Sequence, residues 1–264
     1  MTQSHNAYSG LDGFRVDIMP ERKRADVVLD RPPLNIVSMQ QRDQFADVFR
    51  ALGHDDRVRV IVIRSEGANF SSGGDIKGFM AATPEKVSHL ADNVKSPEVC
   101  PKPVVAAVRG FCFGVGFELS LACDFRIASE TAQFALPEQK IGMIPGSGGS
   151  IRLLHMIGVA RTKDMVMRSR RVPAAQAQEW GITIDCVPDE KLEETVDAFV
   201  DELIQFSPLA QRTLKHVLNA AEDAPLHAGI EMEGLAYGRL RMSDDFKEGV
   251  ESFHAKRKPV WTGS

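Results

Sequence analysis

The sequence predicts an α/β protein whose sheet is at least partly parallel and whose C-terminal region is helical. Two observations predict this fold class. As far as about residue 188, short β-branched segments alternate with helical patterns and glycine-rich turns, which is typical of strand–helix crossover units. After that point only helical patterns follow. A chain of 264 residues is long enough for one sizeable domain and an appendage.

The first third of the chain predicts three strands and one helix. The strands are β-branched runs bounded by polar residues, glycine or proline, at 16–18, 25–29 and 58–63. Residues 38–52 carry apolar side chains at helical spacing, with Ser38 as the N-cap and Gly53 at the end. A strand, a helix and a second strand in this order form a crossover unit, so at least part of the sheet is predicted to be parallel.

The middle of the chain repeats this pattern. Residues 103–108 are almost continuously apolar, so they predict a buried strand. A glycine-punctuated turn at 110–116 leads into a short helix through Glu118. The remaining predicted elements are strands at 124–128 and 132–135, a glycine-rich turn at 145–149 and a helix at 148–157. Glycine at each strand-to-helix turn is consistent with an α/β protein.

Four helices are predicted near the C-terminus, at 190–206, 209–222, 226–242 and 244–256. Pro208, Pro225 and a cap at Ser243 mark the joints between them. A thin layer of helices buries little surface by itself, so we expect it to dock onto a neighbouring subunit. We therefore divide the chain into a core at 1–188, which holds the active site, and a helical oligomerisation region at 189–264.

Composition excludes several classes of partner. The chain is 43% hydrophobic and 26% charged, and 36 acids against 32 bases give a formal net charge of −4. This near balance predicts neither a nucleic-acid surface nor a polybasic membrane patch. No apolar stretch is long enough to span a bilayer. The first 14 residues lack the basic and apolar regions of a secretory signal. We therefore expect a cytoplasmic protein.

The cysteines and histidines predict no metal centre. The cysteines, which have neither CxxC nor metal-ligand spacing, are Cys100, Cys112, Cys123 and Cys186, and a reduced compartment is the simpler interpretation. The seven histidines are scattered. The chain also lacks a P-loop, a G-x-G-x-x-G fingerprint, an H-E-x-x-H pair and a G-x-S-x-G elbow. These absences favour chemistry carried out by carboxylates and backbone amides.

Three glycine-rich segments carry the candidate chemistry. In the first, Gly73 and Gly74 allow close approach of a ligand to the backbone, and Asp75 is a plausible N-cap whose helix start exposes free amides. In the second, Glu118 lies in a first helical turn, where favourable interaction with the helix dipole is a sufficient explanation for an acid. Its apolar neighbours also predict a partly buried carboxyl with a raised pKa. In the third, Glu138 taken alone is more typical of a surface acid.

Taken together, these segments resemble the crotonase family, also called the enoyl-CoA hydratase/isomerase superfamily. Four stretches in order carry the resemblance, from about residue 69 to residue 261: NFSSGGDIKGF, PKPVVAAVRGFCFGVGFELSLACDFRIAS, AQFALPEQKIGMIPGSGGSIRL and SDDFKEGVESFHAKRKPVW. The resemblance implies a spiral core of β-β-α units. It also implies a C-terminal helical region that builds trimers, commonly paired into hexamers, and an acyl-CoA ligand.

The resemblance also implies a set of binding residues. The backbone N–H groups of Gly74 and Val115 occupy the positions of the family's oxyanion hole. Two fixed donors there would stabilise the enolate that forms on the thioester oxygen. The segment along the CoA moiety contains further candidates, which are Ser72, Asp75, Ile76 and Lys77. Many relatives have glycine at the position of Val115, so the acyl preference is left open.

Glu118 and Glu138 each match a position where the family's hydratases have a catalytic glutamate. The pair favours reversible syn addition of water to a 2-enoyl-CoA thioester. Two carboxyls that share a water in an apolar site have pKa values that are pushed apart. By analogy we assign Glu118 to activation of the water and Glu138 to the proton delivered at Cα. Coenzyme A is part of the substrate, so no separate cofactor is expected.

Two alternatives remain open. One is a family isomerase, or a hydratase that acts on a cyclic or unusual acyl-CoA. The other is a relative without catalytic activity that binds RNA or acts as a scaffold. Retention of both acids and both glycine turns argues against the second alternative.

Overall fold

The computed structural model describes residues 8–264. Residues 1–7 lie outside the described residues. They form half of the 14-residue segment that is predicted to lack a secretory signal. The strands of the described chain are β1 Phe14–Met19, β2 Arg24–Leu29, β3 Val60–Ser65, β4 Val104–Val108, β5 Phe111–Phe113, β6 Phe125–Ser129, β7 Gln133–Ala135, β8 Val172–Pro173 and β9 Asp185–Val187. The α-helices are α1 Met39–Gly53, α2 Ile76–Met80, α3 Pro84–Val87, α4 Ala91–Val94, α5 Ser96–Val99, α6 Val115–Leu121, α7 Gly149–Met167, α8 Ala174–Glu179, α9 Leu192–Ile204, α10 Pro208–Ala221, α11 Leu226–Leu240 and α12 Asp244–Ala255. Short 3-10 helices lie at Pro20–Arg22, Glu138–Ile141 and Asp189–Lys191.

Two sheets organise the molecule. The larger has the strand order β1-β2-β3-β4-β6-β9, and the smaller has the order β5-β7-β8. In the larger sheet β1 pairs antiparallel with β2, and every further pairing is parallel. In the smaller sheet β5 and β7 are parallel, and β8 is antiparallel to β7. The predicted α/β class with a partly parallel sheet is therefore confirmed.

The core lies on both faces of the larger sheet. On one face, α1 contributes Phe45, Phe49 and Leu52 to a cluster that also includes residues of the smaller sheet. On the other face, α9 packs Val196 and Val200 against apolar side chains of β3, β4 and β6. This helix belongs to the predicted 189–264 region but covers the sheet of the core. The assignment of that region to oligomerisation stays a prediction.

The predicted elements of the first half match the structure closely. Ser38 caps α1 as predicted, because its Oγ accepts a hydrogen bond from Gln41 N at 3.0 Å. The segment 110–116 differs from its prediction as a turn, since it contains the three-residue strand β5 and the start of α6. The helix predicted at 148–157 continues as α7 to residue 167, with a break in helical geometry at Gly158 (φ 76°, ψ 167°).

The last three helices lie beside the core. Lys215 on α10 attaches this helix to the body, because its Nζ donates to Asp124 Oδ2 at 2.7 Å and to the carbonyl oxygens of Pro97 and Lys102 at 2.7 and 3.0 Å. No residue of α11 is buried. Within residues 8–264, every helix is too short or too polar to cross a membrane.

Candidate active site

A cavity of about 700 Å³ brings the three glycine-rich segments together. Its wall is formed by residues 72–76, by the start of α6, by the segment 137–147 and by the first turn of α1. The apolar side chains that line it include Val37, Met39, Phe79, Leu90 and Met143. The cavity therefore combines an apolar wall with the polar groups that the sequence singled out.

The first segment places an unpaired amide at this cavity. Gly73 has φ 117°, a conformation that favours glycine. Its carbonyl accepts from Val37 N at 3.0 Å, and Asp75 N donates to Val37 O at 3.0 Å. Between these two bonds, Gly74 N donates to no acceptor within the described chain. Asp75 also caps α2 as predicted, because its carboxylate accepts from Lys77 N at 3.1 Å.

The second segment places another free amide nearby. Gly114 has φ 52° and ψ −130°, which turns β5 sharply into α6. Val115 is the first residue of α6, where an amide has no intrahelical acceptor. The two segments pack closely, because a Cβ on Gly116 would lie 2.5 Å from Ser71 Cβ. A Cβ on Gly74 would lie 3.6 Å from Val115 Cγ1, so Gly74 and Val115 are neighbours.

Glu118 is held by the segment that precedes α7. Its side chain projects from the first turn of α6 and is 2% exposed. One oxygen, Oε1, accepts from Ser147 N at 2.7 Å and from Gly149 N at 3.1 Å. A Cβ on Gly149 would lie 2.8 Å from Glu118 Cγ, so glycine is required for this approach. The carboxylate is thus fully buried and fixed in orientation by two backbone donors.

Glu138 lies in a different environment at the same cavity. It is the first residue of the 3-10 helix Glu138–Ile141, and its Oε2 is buried without a hydrogen-bond partner in the part of the chain that is described. Its Oε1 lies 3.1 Å from the position that a Cβ on Gly114 would occupy. Burial raises the pKa of Glu138 to about 7, and the negative charge of Glu118 adds to this effect. A proton on Glu138 is therefore available near neutral pH.

Arg42 is a further cavity residue that the sequence analysis missed. It projects from α1, is 7% exposed, and donates from Nη1 to Ser147 Oγ at 3.1 Å. Burial lowers the pKa of this guanidinium, while the charges of Glu118 and Glu138 oppose that effect. One sequence signal was available. Arg42 lies three and seven residues before Phe45 and Phe49, on the apolar side of a helical pattern.

The structure brings most of the predicted site residues to one cavity. Those that line it are Ser72, Gly74, Asp75, Ile76, Val115, Glu118 and Glu138. Lys77 is exposed on α2 and does not line this cavity, so its contact with CoA stays a prediction. Within residues 8–264, no three side chains of His, Cys, Asp or Glu are grouped so that they could hold a metal ion.

Comparison with known proteins identifies the class to which this fold and cavity belong. The family model described as enoyl-CoA hydratase/isomerase matches residues 23–264. The chain therefore belongs to the enoyl-CoA hydratase/isomerase family, as the sequence motifs predicted.

Individual relatives extend this result. The carnitinyl-CoA dehydratase of Salmonella typhi is 35% identical over 246 residues, which cover 90% of this chain and 94% of that protein. The crystal structure of an enoyl-CoA hydratase from Bacillus anthracis is similar with a TM-score of 0.89 and 32% identity, over 96% of this chain and all (100%) of that one. A second enoyl-CoA hydratase structure, from Geobacillus kaustophilus HTA426, has a TM-score of 0.90 and 25% identity, and the match covers 97% and 98% of the two chains. The predicted crotonase-like fold is thereby confirmed.

Proposed function

We propose that the protein catalyses the reversible syn addition of water to a 2-enoyl-CoA thioester. The observation that carries this proposal is a pair of carboxyl groups, Glu118 and Glu138, at one cavity beside two free backbone amides. The two carboxyls have unlike environments, since one accepts two amide hydrogen bonds and the other has a pKa raised to about 7. A base and an acid of this kind are what water addition requires.

The thioester carbonyl binds between the amides of Gly74 and Val115. Attack at Cβ moves electrons toward the thioester oxygen, and two fixed N–H donors stabilise the enolate that results. Val115 lies at the start of α6, so the helix dipole adds to the stabilisation. Losing one such donor costs about 10²–10³ in rate.

The two glutamates move the protons. Glu118 accepts a proton from water as the water oxygen bonds to Cβ, and Glu138 gives its proton to Cα. The substrate therefore gains one water molecule. The enzyme keeps the same number of protons, because Glu138 has lost one and Glu118 has gained one. Exchange with solvent restores the starting state. The two amide bonds to Glu118 Oε1 leave Oε2 to face the water.

The CoA moiety runs along the segment that includes Ser72, Asp75, Ile76 and Lys77, the residues identified by resemblance. Support for this position comes from the contact of the first three with the cavity. The reaction uses no separate cofactor, because the enolate is stabilised by backbone amides and the protons are carried by carboxyl groups.

A second candidate is dehydration of a 3-hydroxyacyl-CoA with a polar acyl group. It is favoured by the carnitinyl-CoA dehydratase that is 35% identical to this chain. The same two glutamates serve this direction, with Glu138 taking the Cα proton and Glu118 protonating the departing hydroxyl. A Δ3-Δ2 isomerase needs one proton carrier and no water, so the second carboxyl would have no role.

The test is a panel of 2-enoyl and 3-hydroxyacyl thioesters of CoA, including crotonyl-CoA, followed by mass spectrometry for gain or loss of water. We expect Glu118→Gln and Glu138→Gln to lower the rate with an accepted substrate by about 10²–10⁴. Glu85→Gln changes an exposed acid on α3 and should retain the wild-type rate.

Three outcomes would contradict the proposal. If both glutamine variants keep full activity, the assignment of acid and base is wrong. If a folded protein shifts a double bond without gain or loss of water, the isomerase alternative is correct. A protein that binds acyl-CoA and converts none of the panel would instead match the alternative without catalytic activity.

A further inference from the structure

Arg42 differs from the other two buried arginines of the described chain in how its guanidinium is satisfied. Arg24 forms ion pairs with two aspartates. Arg126 donates to three backbone carbonyl oxygens at 2.6–3.0 Å. The guanidinium of Arg42 makes a single hydrogen bond, to Ser147 Oγ, and its Nε is buried without a partner among the described residues. Its hydrogen-bonding capacity is therefore largely unused.

The Nη2 end of this guanidinium has no hydrogen-bond partner among the described residues and lies at the substrate cavity, whereas Nε has almost no accessible surface. Arg42 lines the cavity, and its Nη2 lies 3.1 Å from the position that a Cβ on Gly74 would occupy. Since Gly74 carries one of the two free amides, the guanidinium lies beside the place proposed for the thioester. Arg42 forms no ion pair within 4.0 Å among residues 8–264, and the negative charges of Glu118 and Glu138 act on it from farther away.

A hydrocarbon acyl group would be a poor occupant of this cavity. It would displace water from Arg42 and supply no acceptor in return. A buried charged donor that is left unpaired is costly. An oxygen on the acyl group would remove this cost, because hydrogen bonds to charged groups are among the strongest in proteins. Sites with buried hydrogen-bonding groups reject analogues that lack the matching atom.

We propose that Arg42 is a specificity residue that binds an oxygen acceptor on the acyl group, located beyond Cβ. The acceptor is a hydroxyl, a carbonyl or a carboxylate, and the substrate class is oxygenated acyl-CoA. The inference rests on the proposed function for the position of the thioester, and deepens it by naming the kind of acyl group.

Binding of saturated thioesters tests this proposal without requiring catalysis. The dissociation constants of butyryl-CoA, 4-hydroxybutyryl-CoA and succinyl-CoA are compared by titration calorimetry, and pentanoyl-CoA is compared with glutaryl-CoA. We expect at least one oxygenated member of a matched set to bind about tenfold or more tightly than its hydrocarbon counterpart. The hydroxyl of 4-hydroxybutyryl-CoA tests a neutral acceptor, and the carboxylates of succinyl-CoA and glutaryl-CoA test a charged one.

Arg42→Met should abolish this preference. The matched control is Arg50→Met, which removes an exposed arginine of the same helix and should keep the preference. If the methionine variant does not fold, the measurement is repeated with Arg42→Gln, which retains a donor for Ser147. Far-UV circular dichroism checks the folding of each variant.

Three results would overturn the proposal. One is equal affinity within every matched set while enoyl-CoA hydration is observed, which leaves the proposed function intact. Another is a preference that survives in folded Arg42→Met or Arg42→Gln. The third is an equal loss of affinity for all thioesters in these variants, since Arg42 would then contact the thioester or CoA moiety that they share. Failure of every acyl-CoA to bind the wild-type protein would overturn the proposed function and this inference together.

Discussion

Glu118 and Glu138 have the same chemistry, and their surroundings make them different. Glu118 Oε1 accepts hydrogen bonds from two backbone amides. Glu138 Oε2 is buried with no partner among residues 8–264, and the pKa of Glu138 is raised to about 7. A protonated Glu138 is therefore populated near pH 7. This is the starting state that hydration requires.

The raised pKa of Glu138 predicts a pH dependence. Above about pH 7 the pair loses its single proton, so kcat/KM for hydration should fall, approaching tenfold per pH unit. Because two coupled carboxyls titrate together, the apparent pKa belongs to the pair. The measurement is kcat/KM for an accepted enoyl-CoA between pH 6 and pH 9.

The reverse reaction supplies a control for this prediction. Hydration consumes no net proton, so the ratio of the two kcat/KM values is set by an equilibrium constant that does not depend on pH. Dehydration should therefore lose activity over the same pH range. A profile that stays flat to pH 9 in both directions would contradict the role of Glu138 as the acid.

At the scale of elements, the sequence predicted those whose pattern is long enough to recognise. The helix α1 was predicted with its cap because apolar spacing continues over four turns after Ser38. The helix α2 was predicted only through its cap at Asp75, and α3 to α5 were not predicted, since each has only four residues and shows no periodicity. The sequence predicts a turn at the position of strand β5, because glycines flank its three residues.

The sequence predicted the site residues through motif resemblance and not through local patterns. Motif resemblance singled out Glu118 and Glu138, but local sequence alone favoured a helix-dipole acid and a surface acid. Their common cavity depends on contacts between segments far apart in the chain, such as Ser147 N with Glu118. Arg42 could not be assigned from the sequence, because a charge within an apolar helix pattern does not reveal its partners, and only the tertiary structure shows that it has a single side-chain partner.

The close packing of α6 against the 70–77 segment predicts the effect of Gly116→Ala. The added Cβ would lie 2.5 Å from Ser71 Cβ, so the two segments must separate. The amides of Gly74 and Val115 would then no longer be spaced for one oxygen. We expect kcat to fall by about 10²–10³, as for loss of one oxyanion donor, with a stability loss of about 1–3 kcal/mol.

Gly238→Ala is the matched control for this substitution. Apart from the neighbouring residues and backbone of α11 itself, nothing lies within 4 Å of the added Cβ, and alanine favours a helix. This variant should keep its activity and stability. Steady-state kinetics and urea unfolding measure both quantities. If Gly116→Ala folds and retains wild-type kcat, the spacing of the two amides is not what limits the reaction.

At the scale of the whole molecule, α10 and α11 leave much apolar surface uncovered. Exposed apolar side chains on these helices are Leu214, Leu218, Leu226, Ile230, Leu235 and Tyr237. Extended apolar patches of this kind are rare on monomers and typical of interfaces. By contrast, α9 covers the larger sheet with its apolar face. Within the C-terminal region, the apolar surface that remains for another subunit therefore lies on α10 and α11, and on α12, where Val250 and Phe253 are also exposed.

We predict that this surface joins copies of the chain into a trimer or a hexamer. The molar mass in solution should be three or six times the 29.1 kDa of the chain, as measured by size-exclusion chromatography with light scattering. Leu226, Ile230 and Tyr237 lie four and seven residues apart on one side of α11. The double variant Ile230→Lys/Tyr237→Lys should lower the mass, because an interface core excludes unpaired charge. Glu231→Lys, also exposed on α11, should leave it unchanged. A wild-type mass of 29.1 kDa would contradict the prediction.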